Sequence, residues 1–70
     1  MDFYYKVDVS GRHGYSFMVK TDGELPDDTI IYLCEGRGLF QDAEDAEYAT
    51  VDDLVTDREI EIFRNCTYEI

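Results

Sequence analysis

Apolar and polar residues alternate twice near the start of the chain. In residues 2–9, Phe3, Tyr5, Val7 and Val9 fall on one side and Tyr4, Lys6 and Asp8 on the other. A period of two is that of a half-buried strand. Residues 15–21 repeat it, with Tyr15, Phe17 and Val19 opposed to Ser16, Met18 and Lys20. Ser10-Gly11-Arg12-His13-Gly14 between them is rich in turn formers. The two runs read as a hairpin whose aromatic face supplies most of the core.

The period then changes. Asp22-Gly23 closes the hairpin, and Leu25-Pro26-Asp27-Asp28 places a proline and two acids where a helix begins. Ile30 shares a face with Leu33 and Cys34, and Gly36 and Gly38 stop the run. This predicts a helix over about 27–36. A strand at 29–34 competes, because Thr29-Ile30-Ile31-Tyr32 is rich in β-formers. Leu39-Phe40 is the next apolar anchor. Residues 42–45 suit a helical turn and residues 46–55 a third strand. Thr56-Asp57-Arg58-Glu59 has capping-box spacing and predicts a helix over about 57–64, with Ile60 and Phe63 inward. The alternation of Glu59-Ile60-Glu61-Ile62 keeps a strand open as the alternative. Residues 66–70 suit a short final strand. The expected fold is α+β. Hairpin 2–21, the strand near 46–55 and a short C-terminal strand form a three- to four-stranded antiparallel sheet, covered on one face by one or two short helices.

Seventy residues make one domain, 1–70. A chain of this size buries only about 60% of the surface its unfolded form exposes. It has no room for a substrate cavity of ordinary depth. A hydrophobic share of 44% argues against disorder. The net charge of −11 argues against direct binding to nucleic acid or to an anionic membrane, both of which select clustered Lys and Arg. It favours a basic protein as partner. No basic run followed by an apolar one opens the chain, and no apolar stretch approaches the roughly 20 residues of a membrane span. A cytoplasmic location is expected, with Cys34 and Cys66 as buried free thiols. Without secretion, Asn65-Cys66-Thr67 has no weight as a glycosylation site.

Catalytic constellations are missing from the pattern. The single histidine, His13, sits in a glycine-flanked turn, whereas nucleophilic catalysis needs a positioned base. Seventeen carboxylates guarantee that some are neighbours, so a close pair is not diagnostic. A calcium loop starting at Asp42 would put Ala46 at its fifth position and Glu47 where glycine is required. Gly36-Arg37-Gly38 lacks the third glycine of a dinucleotide fingerprint, Gln41 standing there. Zinc would require more Cys and His. No enzyme activity, cofactor or metal is expected.

What remains is the charge of residues 42–61. Asp42, Glu44, Asp45, Glu47, Asp52, Asp53, Asp57, Glu59 and Glu61 are nine carboxylates beside one base, Arg58. Duplex DNA carries one charge per roughly 1.7 Å of axis. Carboxylates spaced on a strand or helix, which rise about 3.3 and 1.5 Å per residue, can approximate that pitch. The plainer alternative is a solvated surface that keeps a small protein in solution. Tyr4, Tyr32, Tyr48 and Tyr68 cannot all fit a small core, and exposed tyrosine among acids has interface character. The expected partner-binding set is the nine carboxylates with Tyr48 and Tyr32 as anchors.

In character, this small, tyrosine-bearing, strongly acidic chain resembles the anti-defence proteins of phages and mobile elements, among them anti-CRISPR proteins and DNA mimics. Its segment Gly38-Leu39-Phe40-Gln41-Asp42-Ala43-Glu44-Asp45-Ala46-Glu47-Tyr48-Ala49 is similar to short open reading frames of gut Firmicutes and their mobile elements. The resemblance implies a non-enzymatic inhibitor of a host nuclease complex, acting in a bacterial cytoplasm. The alternative is a small interaction module, such as a homodimer through a sheet edge. The inhibitor reading requires the carboxylates to gather on one side, clear of Lys6, Arg12, Lys20 and Arg64.

Overall fold

The computed structural model describes residues 2–11, 14–53 and 56–70. Strands β1 (Phe3–Val9) and β2 (Tyr15–Thr21) form the expected hairpin, with Phe3 opposite Thr21 and Val9 opposite Tyr15. Arg12 and His13 of the expected turn lie outside the described residues. Helix α1 (Asp27–Gly36) follows with the predicted bounds, so the strand alternative at 29–34 falls away. Its last turn closes by two reversed hydrogen bonds: Leu39 N–H donates to the Cys34 carbonyl at 3.0 Å and Gly38 N–H to that of Glu35 at 3.1 Å. Gly38 sits at φ +69°, the left-handed position that this ending requires.

The third strand is shorter than expected. Residues Ala43–Tyr48 form a 3-10 helix, and β3 spans Ala49–Asp53; Leu54 and Val55 lie outside the described residues. Helix α2 (Asp57–Ile62) settles the second ambiguity in favour of helix. Glu59 N–H donates to the Thr56 hydroxyl at 3.3 Å, the first half of the anticipated cap. A 3-10 turn at Arg64–Cys66 leads into β4 (Thr67–Glu69).

The sheet order is β3-β1-β2-β4, with β3 antiparallel to β1 and β4 parallel to β2. The expected all-antiparallel sheet is therefore mixed. The reason lies in the connections. A helix between two strands returns the chain to its starting end, so the next strand runs parallel to the last. This holds for β2–α1–β3 and again for β3–α2–β4. The first crossover moves toward one edge of the sheet and the second toward the other. Parallel crossovers share one hand, so two that move in opposite directions place their helices on opposite faces.

The packing agrees, and it corrects the expectation of a single covered face. On the first face Tyr5, Val7, Phe17 and Val19 are buried with Ile30 and Cys34 of α1, and Phe3, Leu39, Phe40, Val51 and Ile70 close around them. Phe17 meets the edges of Phe40 and Tyr68 at ring-centre distances of 5.9 and 5.8 Å. On the second face Met18 is fully buried. The Thr67 hydroxyl lies 3.5 Å from its sulfur, and Lys6 Nζ sits 5.6 Å from the centre of the Phe63 ring. Ile60 flanks a shallow depression on this face with Tyr4 and Lys20. Among the described residues no helix is long and apolar enough to cross a membrane.

Candidate functional site

The acidic stretch is not one surface. Asp42, Glu44, Asp45 and Glu47 lie on or just before the 43–48 helix, which packs beside α1 and the end of β1. Tyr48 ends that helix and is 56% exposed. On β3 the acids divide: Asp53 stands opposite Tyr5 on the α1 face and Asp52 opposite Lys6 on the other. Asp57, Glu59 and Glu61 belong to α2, on the other face of the sheet.

The first group is held by the hairpin. Tyr15 hydroxyl donates to Asp45 Oδ2 at 2.6 Å and accepts from Gln41 N–H at 2.9 Å. The same carboxylate oxygen accepts from Asp42 N–H at 3.2 Å, and Asp45 N–H donates to the Asp42 carbonyl at 3.1 Å. Ser10 donates to the Tyr48 carbonyl through both its N–H and its hydroxyl, each at 3.3 Å. Asp45 is thus a structural member of the group, half-buried, while Asp42, Glu44, Glu47, Asp52 and Asp53 face solvent. Burial of Tyr15, with the Asp45 carboxylate beside it, raises the phenol pKa above its ordinary value, although the Gln41 N–H works the other way.

Three of the six basic residues pair with other acids. Lys6 pairs with Asp8 at 3.9 Å, Lys20 with Asp2 at 3.4 Å and Glu69 at 3.3 Å, and Arg64 with Glu61 at 3.4 Å. Hydrogen bonds that its ammonium donates to the Glu69 and Asp2 carboxylates raise the Lys20 pKa. Among the described residues, no carboxylate of 42–53 takes part in an ion pair. Between Arg37 and Arg58 the sequence itself contains no Lys or Arg. Lys20 and Arg64 are thus paired with acids outside 42–53, whereas Lys6 stands opposite Asp52 across β1 and β3 and offsets the charge there; Arg12 lies outside the described residues.

Tyr32 is 75% exposed on α1. It lines an open depression with Leu33, Glu35, Gly36 and Arg37, which includes none of the 42–53 carboxylates. Of the two expected anchors, Tyr48 is the one contiguous with the acids. Sequence reasoning placed Tyr15 in the core and missed its grip on Asp45. A hydroxyl at the end of a strand, 30 residues from its carboxylate, leaves no local signal.

The thiols differ from each other. Cys34 is buried as expected, and burial pushes its pKa up to about 11. Cys66 is exposed, contrary to expectation, as are Arg64 and Asn65 of the same 3-10 turn, none of which turns its side chain into the core. Among the described residues no three of His, Cys, Asp and Glu gather as metal ligands would. No family model, no curated protein and no solved structure matches the chain.

Proposed function

We propose that the chain is a non-enzymatic inhibitor or decoy that binds a basic nucleic-acid-handling protein, of the kind a defence nuclease complex presents. Its acidic face would occupy the channel meant for DNA or RNA. One observation carries this reading: five of the six 42–53 carboxylates are open to solvent, and the described ion pairs all fall on other acids. Such a surface desolvates little on its own account and keeps its full field for a cationic partner. Tyr48 adds a large, rigid contact at the end of the acidic helix. The binding surface is accordingly Asp42, Glu44, Glu47, Tyr48, Asp52 and Asp53. Asp57, Glu59 and Glu61 on the opposite face, and Tyr32, are left outside it.

The test is capture from a bacterial lysate at low salt, followed by competition with duplex DNA. The captured proteins should be nucleic-acid binders, and duplex DNA should displace the chain from them. Affinity should fall by roughly tenfold or more between about 50 and 200 mM salt, as for a ligand that neutralises several charges. Asp42→Lys, Glu44→Lys and Glu47→Lys together should abolish capture. Salt-insensitive binding, or simultaneous occupancy with DNA, would refute the proposal.

A further inference from the structure

We infer that the outer edge of β3 is where an extended, basic segment of a partner docks, adding a fifth strand to the sheet. β3 ends the sheet, and no described residue continues it on that side. The register identifies the free groups. Ser10 N–H bonds the Tyr48 carbonyl, and β1 and β3 stay in step from there, with Val9 opposite Ala49, Asp8 opposite Thr50 and Lys6 opposite Asp52. Antiparallel pairs alternate between bonded and unbonded. Tyr48, Thr50 and Asp52 thus turn their backbone groups toward β1, and Ala49, Val51 and Asp53 turn theirs outward. Three consecutive outward N–H and C=O sets make a strand template.

The side chains select what can use it. Asp52 and Asp53 point to opposite faces, as successive strand residues must. A second copy of this chain laid on the edge would bring together two molecules of net charge −11, with Asp52 and Asp53 of both strands at the seam. A basic strand meets the reverse situation. Run antiparallel, it would place two consecutive Lys or Arg residues opposite Asp53 and Asp52, each with its own carboxylate. An apolar residue would then fall opposite Val51 and a polar one opposite Thr50. The opposite edge offers less: β4 has three residues, and its Glu69 is already bridged to Lys20.

The inference rests on the proposed charge-driven binding and adds its backbone geometry, so the experiment separates the two. The probe is a capped, fluorescent peptide of sequence Thr-Lys-Arg-Val-Thr-Val-Ser. Two further versions have alternate backbone amides N-methylated, one set in each. At low salt the parent peptide should bind. Methylation of the edge-facing set should weaken it about tenfold or more, and methylation of the other set less than about threefold. On the protein side, Asp53→Pro removes an outward N–H and a charge, whereas Asp53→Asn removes the charge alone; the proline variant should bind more weakly. If all three peptides bind alike, strand addition is overturned and the charge-driven reading stands. If the parent peptide fails while basic proteins still bind, the edge is likewise excluded. If neither the peptide nor any basic protein binds at low salt, the functional proposal falls and takes this inference with it. The peptide series decides the matter even should the proline variant not fold.

Discussion

The two halves of the acidic stretch are alike along the chain and unlike in space. Residues 42–53 contribute six carboxylates and no base; α2 contributes three carboxylates and Arg58. The 42–47 acids of the first half lie against the end of β1 and α1, where no described Lys or Arg forms an ion pair with them; of the two on β3, Asp52 stands opposite Lys6. The second lies over the sheet face that carries Lys6 and Lys20, with Arg64 reaching back to Glu61. A local potential is the sum of what topology brings alongside. Equal density of charge along a sequence therefore does not make an equal field. The crossover through α2 sets its three acids on the face that carries Lys6 and Lys20, while the acids of the 43–48 helix lie away from it.

Charge reversal in each half breaks this comparison most sharply. Each Asp or Glu to Lys change adds two charges, so three of them move the net from −11 to −5 wherever they are made. With about 1 kcal/mol per lost contact, Asp42→Lys/Glu44→Lys/Glu47→Lys should weaken partner binding on the order of a hundredfold. Asp57→Lys/Glu59→Lys/Glu61→Lys should cost less than about threefold. Titration of both triple variants against one captured partner is the measurement. Equal losses would mean that net charge alone drives binding and that the separation of the two halves is without consequence.

A smaller effect comes from loosening one half while leaving the other alone. Tyr15→Phe removes a hydroxyl that bonds the Asp45 carboxylate and the Gln41 N–H. Bonds that involve a charged partner contribute more than neutral ones, and the expected loss is about 1–3 kcal/mol of stability. Binding should weaken several-fold as the acidic helix frays. The same substitution changes the alkaline limb. Tyr15 holds its proton more tightly when folded, so its contribution is complete below the unfolded value of 10.0 and is lost as pH rises past it. Cys34, pushed up to about 11, adds a loss that begins near its ordinary value of 9.0. Denaturant midpoints measured from pH 8 upward should fall less steeply in the Tyr15→Phe variant, with the thiol component remaining.

Much of this arrangement was readable from residue order, and the unreadable part has identifiable causes. The hairpin, α1 and the Thr56 cap follow from period and punctuation, which are local. The helix-or-strand ambiguity at 57–64 arose because Ile60 and Ile62 fit a period of two, while Ile60 and Phe63 fit a helix. Packing of Ile60 and Phe63 on the second sheet face decided between them. The parallel β4 was invisible because it depends on counting two crossovers. Met18 reads as solvent-facing in the sequence because its neighbour across the ladder, Thr67, arrives 49 residues later. At the candidate surface the acids and Tyr48 were legible as composition. That α2 would be divided from the 42–47 acids was not, since nothing local records which face of a sheet a helix will cross.

Arg64 provides the most delicate discrimination. Its pair with Glu61 spans 3.4 Å, but both side chains are well exposed, at 74% and 65%. Such a pair stabilises by only about 0–0.5 kcal/mol, because water screens it and two long side chains must be ordered to form it. Arg64→Gln should leave the denaturation midpoint nearly unchanged. It also takes the net charge from −11 to −12, which a model based on total charge translates into tighter binding of a basic partner. Thr50→Lys makes the opposite change of one unit, but on β3 between Ala49 and Val51. If position governs, Arg64→Gln leaves affinity within about twofold while Thr50→Lys lowers it about fivefold or more, through a like charge set beside the docked cation. Symmetric shifts of opposite sign would show that the two halves act as one.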